Sequence, residues 1–200
     1  MIAEYKKNYR YVTLFPGEYY ASGQNVAIST VLGSCVSACL YDPVNCIVGM
    51  NHFLLSYRNR ASSTRMLYTR AGSYGVHSME LLINRMLRLG ADRENLRAKA
   101  FGGASVLKAV YGHDSFYRVG EVNARFIRDF LANEGIPLIA ADLGGDRARL
   151  IHFSADDDFG VYVRKNRIRD HSRLIQEERK HWKKRVEAQE ETAPQVDLWL

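Results

Sequence analysis

Through the first half of the chain, apolar residues come in short runs separated by glycine and turn-forming residues, a strand-like pattern. Val26–Ser29 and Val36–Tyr41 stand on either side of Leu32-Gly33-Ser34-Cys35, and Asp42-Pro43 closes the second run with a turn. Ile47–Leu55 (IVGMNHFLL) predicts a third strand. Residues 56–72 (SYRNRASSTRMLYTRAG) are polar and basic, a length of loop that compact domains keep for lids or binding surfaces. The period then becomes helical. Over Ser73–Leu89, Val76, Met79, Ile83, Met86 and Leu87 share a face, and Gly90 stands where a left-handed C′ residue is wanted. Leu96–Phe101 alternates as a strand and runs into Gly102-Gly103, read as a turn where backbones pack closely. Glu121–Asn133 predicts a second helix, with Val122, Phe126, Ile127, Phe130 and Leu131 inward and Gly135 as its stop. Three strands follow, Ile136–Ala141, Leu150–Ser154 and Gly160–Arg164, with Leu143-Gly144-Gly145-Asp146 as a hairpin-type turn.

Six or so strands and two helices, without regular βαβ alternation, predict an α+β fold. The expectation is a single layered domain over residues 1–165, a mixed or antiparallel β-sheet with two main helices packed on it. Two hundred residues are enough for such a core. From about residue 166 the chain turns charged and almost free of glycine and proline, which predicts a partly flexible helical extension over 166–200. This segment changes how the net charge of +6 is read. Residues 164–185 hold 10 Lys/Arg against 3 Asp/Glu, whereas residues 1–163 are close to balanced at 18 against 15. The basic character therefore belongs to a tail, where aromatics are nearly missing, and no nucleic-acid partner is expected. What the terminal Val-Asp-Leu-Trp-Leu docks onto is open.

No apolar run approaches the roughly 20 residues of a membrane span, and the polar, aromatic N-terminus lacks a signal-peptide pattern. Three cysteines, an odd number, do not make a disulfide framework. A reducing, cytoplasmic location is expected, with thiols able to react.

The first chemical candidate is Cys35, directly after Gly-Ser at the junction of two strands. A cysteine there can be exposed, with backbone N–H groups pointing at one point in space, which suits a nucleophile because the same groups can hold a developing oxyanion. His52 lies 17 positions on, in a strand expected to pair nearby, and Thr30 and Ser29 are both placed to orient its imidazole. The plainer alternative is that Cys35 is a small buried hydrophobe and His52 a satisfied core residue. Cys39, on the same strand face as Cys35, reads as core, and C-x3-C-x6-C fits no zinc spacing. Phe101-Gly102-Gly103-Ala104-Ser105 matches neither phosphate-binding fingerprint. No metal or organic cofactor is expected.

LGSCVSACLYDP followed by GMNHFLLS closely resembles the signature of the chemoreceptor glutamine deamidases of bacterial chemotaxis, the CheD family. The likeness continues through AKAFGGAS and VGEVNARFIRDFLANEGIPLIAADLGGDRARLIHF to FGVYVRK, covering roughly residues 15–165. Ala148 stands where the family's Gly-Gly-x-x-Gly-Arg has its third glycine. The resemblance implies Cys35 as nucleophile, His52 as general base and acid, and Thr30 as the group orienting the histidine, with Ser29 the competing assignment. It implies a cytoplasmic amidohydrolase that converts receptor glutamines to glutamate through a cysteine thioester, with the helical bundle of a chemoreceptor as substrate and no cofactor. The alternative it carries is a weakly catalytic or non-catalytic adaptor that binds receptors and a CheC-type phosphatase.

Overall fold

The inward positions of Val26–Leu32 alternate strictly, with Val26, Ile28, Thr30 and Leu32 buried and the residues between them half-exposed. Val36–Asp42 is buried at every position. That contrast describes the architecture of the computed structural model, in which residues 1–6, 9–23, 25–55, 70–105, 114–156 and 158–166 are described. The strands are β1 (Ile2–Lys6), β2 (Tyr9–Thr13), β3 (Tyr19–Ser22), β4 (Val26–Leu32), β5 (Val36–Asp42), β6 (Ile47–Asn51), β7 (Arg97–Gly102), β8 (Leu138–Leu143), β9 (Ala148–Ser154) and β10 (Val161–Asn166). The helices are α1 (Arg70–Arg88) and α2 (Asp114–Asn133). They build an α+β fold of three layers. One five-stranded sheet runs β1-β2-β4-β9-β10 and the other β3-β6-β5-β7-β8. Each is mixed, with β2–β4 and β7–β8 parallel and the remaining pairs antiparallel.

The second sheet is the middle layer. Val36, Ala38 and Leu40 of β5 pack with Leu82, Met86 and Phe126 of the helices. Cys39 and Tyr41 of the same strand turn the other way, with Cys35 just before them, onto Ile28, Ile151 and Phe153 of the first sheet. A strand covered on both faces reads as a continuous apolar run, which is why VSACLY carries no alternation. The chain crosses from the first sheet to the second between β4 and β5, through Gly33-Ser34-Cys35, at the end of the layer between the sheets.

Several predicted boundaries are corrected. The predicted strand Ile47–Leu55 ends at Asn51 and resumes only as a single antiparallel bridge, Val36 with Phe53. The Leu143–Asp146 turn is not a hairpin: β8 is the edge of one sheet and β9 lies inside the other, so the turn passes between layers. The second helix begins at Asp114, well before Glu121. Its early part contains Gly120, just before the predicted start. A Cβ there would lie 2.5 Å from the Gly103 carbonyl oxygen, so Gly120 lets the helix rest directly on the loop after β7. Arg70–Gly72, assigned to the loop, open α1. Residues 56–69 and the extension 167–200, with their predicted loop and helix, lie outside the described residues. β1, β2 and β3 add to the predicted strands: β1 and β2 mix tyrosine with charged residues, β3 is only four residues long, and β1 and β3 are sheet edges.

Buried polar groups fasten the turns. Asp42 takes the amides of Val44, Asn45 and Asp92 on its carboxylate. The Arg149 guanidinium reaches the Gly144 carbonyl at 2.6 Å and Asp142 at 3.0 Å, and Lys165 reaches Asp142 at 2.9 Å. The Arg149 hydrogen bond foremost, with that of Lys165, holds the Asp142 carboxyl below its ordinary range although burial pushes it up. A carboxyl depressed in the folded state stabilises the fold above its unfolded value and loses that contribution as pH falls through the folded value. Asp142→Asn is therefore expected to shrink the drop in stability between neutral pH and about pH 3, measured by chemical denaturation. An unchanged drop would show that the pair contributes nothing to acid lability.

Candidate active site

The register of β5 with β6 decides which side chains meet. Cys39 faces Met50 and Asp42 faces Ile47. Val36 and Phe53 exchange both backbone hydrogen bonds, at 3.0 and 2.9 Å, in the same register. His52 is thus opposite Ser37 and Leu54 opposite Cys35, all turned to the layer between the sheets. Cys35 and His52 are diagonal neighbours on one face, a spacing of roughly 7–8 Å between Cα atoms that an imidazole spans. The backbone of His52 is held on its other side as well, its N–H on the Glu18 carbonyl at 2.9 Å and its own carbonyl on the Gly17 N–H at 2.7 Å.

Thr30 enters the same layer from β4. Its hydroxyl donates to the Leu14 carbonyl at 2.8 Å and lies 2.8 Å from His52 Nδ1. A hydroxyl has one proton to give. With that proton on Leu14, the Thr30 oxygen accepts from His52, so the network assigns the hydrogen of the neutral ring to Nδ1 and the lone pair to Nε2. Ser29, the competing residue, points to the opposite face of β4, where its hydroxyl is 2.6 Å from His152 Nδ1. The structure therefore brings Thr30, and not Ser29, to His52. Cys35, His52 and Thr30 are each at most 1% exposed.

The other candidates separate from this group. None of the three cysteines is in a disulfide. Burial pushes the Cys39 thiol up to about 12, with Ser37 and the Lys99 ammonium pulling more weakly the other way, so Cys39 stays a thiol at neutral pH. Burial lowers the His152 imidazole below its ordinary value on the outer face of the first sheet. His77 is exposed on α1, Cys46 is exposed after the Asp42-Pro43 turn, and His113, His171 and His181 lie outside the described residues. Among the described residues, no three or more His, Cys, Asp or Glu side chains gather as metal ligands would, and no helix is long and apolar enough to cross a membrane.

The loop after β7 has the close backbone packing that its sequence predicts. A Cβ on Gly102, whose φ is +107°, would lie 2.2 Å from the Cys35 carbonyl oxygen. Beside it, Gly103 N–H donates to Cys35 O at 2.7 Å and Ala104 N–H to Gly33 O at 2.8 Å. Two buried asparagines that the motif reading passed over complete the frame. Asn51 accepts the Ala38 N–H at 2.9 Å, fixing β5 against β6. Asn123, on α2, accepts the Leu55 N–H at 2.8 Å and donates to Ser34 O at 3.2 Å and Val119 O at 2.8 Å. The signal for Asn123 was present: a polar residue at helical spacing on the face that carries Phe126, Ile127 and Phe130.

Comparison with known proteins follows the same lines. The chain is 51% identical over 189 residues to a probable chemoreceptor glutamine deamidase CheD 1 of Geobacter sulfurreducens, covering 94% of each chain, an extent that takes in Thr30 to His52. It is 48% identical over 152 residues to a probable chemoreceptor glutamine deamidase CheD 2 of Shewanella oneidensis, covering 76% of this chain and 74% of that one. A solved structure, the hypothetical protein YfiH of Bacillus licheniformis, overlays at a TM-score of 0.37 with 16% identity, covering 62% of this chain and 49% of that one. Residues 55–165 match the model of the family described as CheD chemotactic sensory transduction, and with these relatives the chain belongs to the CheD family.

Proposed function

We propose that this protein hydrolyses the side-chain amide of chemoreceptor glutamines to the carboxylate, with Cys35 as nucleophile, His52 as general base and acid, and Thr30 orienting His52. The observation that carries the reading is the Thr30–His52 hydrogen bond on the face that also presents Cys35. The names of the curated relatives supply the substrate class.

The chemistry follows from the residue types. His52 Nε2 takes the thiol proton, and the Cys35 thiolate adds to the carbon of the glutamine amide. The carbonyl oxygen becomes an oxyanion, met by backbone N–H groups at Ser34 and Cys35; one such donor is worth roughly 2.7–4 kcal/mol in kcat. His52 returns the proton to the amide nitrogen, the C–N bond breaks, and ammonia leaves behind a thioester on Cys35. His52 then takes a proton from water, whose oxygen attacks the thioester carbon, and the thiol is regenerated. One amide and one water give one carboxylic acid and one ammonia. At neutral pH the product adds a negative charge to the receptor bundle. No step asks for a metal or organic cofactor. On this reading the substrate is the cytoplasmic helical bundle of a chemoreceptor, and the enzyme works in the cytoplasm.

The first test is peptide mass spectrometry of a receptor cytoplasmic fragment incubated with wild-type protein or Cys35→Ala. Glutamine-to-glutamate conversion is expected with wild type and is lost with the variant. Absence of conversion by both would overturn the enzyme reading and favour a binding role with a CheC-type phosphatase as partner.

The second test separates the two hydroxyls. Thr30→Val should lower kcat by roughly 10–100-fold, because a misdirected imidazole loses the reactive geometry. Thr30→Ser keeps the hydroxyl and should keep most of the rate. Ser29→Ala should leave the rate as it is. A Ser29→Ala defect larger than that of Thr30→Val would reverse the assignment.

A further inference from the structure

We propose that Asn123 is the positioning residue that orients the nucleophile's own amide, the N–H of Cys35, toward the reacting amide. The inference rests on Cys35 acting as nucleophile and goes beyond it, since Asn123 belongs to a helix on the far side of the second sheet and touches neither reacting side chain.

The argument is one of peptide planes. All peptide bonds among the described residues are trans, so each carbonyl and the following N–H point in opposite directions. Three consecutive carbonyls of the crossing are tied back: Gly33 O to Ala104 N–H, Ser34 O to Asn123 Nδ2, and Cys35 O to Gly103 N–H. The last tie can be checked, because its plane must send the Val36 N–H the other way. It does, to Phe53 O at 3.0 Å. By the same geometry, the Asn123 bond to Ser34 O fixes the plane that carries the Cys35 N–H and turns that donor away from α2. Of the three ties, this is the one made by a side chain.

Asn123 is built for the task. It is fully buried, and its amide makes three bonds, both N–H groups donating and the oxygen accepting. The accepted N–H is that of Leu55, three residues after His52, so one side chain holds the nucleophile's turn and the exit of the histidine's strand together. Its reach depends on the contact of Gly120 with Gly103, where neither residue has room for a Cβ. An apolar residue would fill the same space and leave the Ser34 carbonyl and the Leu55 N–H buried without partners.

The test compares Asn123→Leu and Asn123→Asp with Ile127→Ala, a buried α2 residue one turn on that makes none of these bonds. Asn123→Asp still accepts from Leu55 but replaces two N–H donors by at most one O–H, present only while the buried carboxyl is protonated, whereas Asn123→Leu removes donor and acceptor together. Deamidation of the receptor fragment and peptide-resolved iodoacetamide labelling of Cys35 are measured for each, at a temperature where circular dichroism shows the variant folded. Alkylation at sulfur builds no oxyanion, so it reports a formed site independently of amide orientation. Both Asn123 variants are expected to lose about 100-fold in kcat, with KM within about threefold and Cys35 labelling near wild type, as for removal of an oxyanion donor. Ile127→Ala is expected to lose stability and keep kcat. Parallel loss of labelling and kcat, or an equal loss in Ile127→Ala, would reduce Asn123 to a structural residue. Wild-type kcat in Asn123→Leu would show that the Ser34 bond is irrelevant. Inactive wild type would overturn the deamidase reading and this inference with it, whereas active wild type with active variants overturns only the inference.

Discussion

The two hydrogen bonds exchanged by Val36 and Phe53 set which side chains meet at the candidate site. They continue the β5–β6 register past the end of β6 and so decide that Cys35 and His52 share a face. Strand side chains alternate, and a slip of one residue would send one of them into the helix-side core while the other stayed between the sheets. Asn51 opposes such a slip. Its amide oxygen accepts the Ala38 N–H, and a shifted strand would leave a buried donor and acceptor unpaired, at about 1–3 kcal/mol each.

The fold places this register where it is best protected. β5 is packed by helices on one face and by the first sheet on the other, so its position is set by two cores at once. Cys35 stands just before that strand, at the point where the chain changes sheets and its carbonyls leave the ladder. Those carbonyls find partners in the loop after β7 and in α2, which ties the crossing to elements more than 60 residues away in sequence. Hydrogen bonds in such a dry setting are electrostatically stronger than in water, and the same dryness makes each missing partner costly.

The sequence carried the parts of this arrangement that depend on local pattern. Both helices, the β5 run and the turn at Asp42-Pro43 were legible because burial imposes a period on each, and Gly102-Gly103 announced a close backbone approach. The division into two sheets was not legible. It depends on β4 and β5, adjacent in sequence, pairing with different partners, and no periodicity encodes that choice. The start of α2 was missed because Gly120 has poor helix propensity, whereas its lack of a side chain is what seats the helix. Cys35 and His52 stood out through their spacing and their motif. Thr30 against Ser29 stayed open, since the choice turns on which face of β4 looks inward, although the period-2 set Val26, Ile28, Thr30 and Leu32 is the more apolar face of VAISTVL. The structure decides it by burying Val26, Ile28, Thr30 and Leu32.

That choice of face also sets the electrostatics of the proposed reaction. The group orienting His52 is a neutral hydroxyl, itself committed to the Leu14 carbonyl. An aspartate in that position would place a permanent charge beside the ring and stabilise the imidazolium directly. A hydroxyl fixes the tautomer and the ring's direction without adding charge to a site in which Cys35, His52 and Thr30 are almost wholly enclosed. When the proton moves from sulfur to Nε2, the thiolate and the imidazolium become each other's counter-ions, and the three-residue group keeps its net charge. Burying a single uncompensated charge would cost far more than burying the pair. The negative charge then moves from sulfur to the substrate oxygen, and the amide planes of the crossing are what meet it there. The hydroxyl and the peptide planes therefore divide the work: one directs the proton, the others receive the charge, and both are held by carbonyl hydrogen bonds that the surrounding fold supplies.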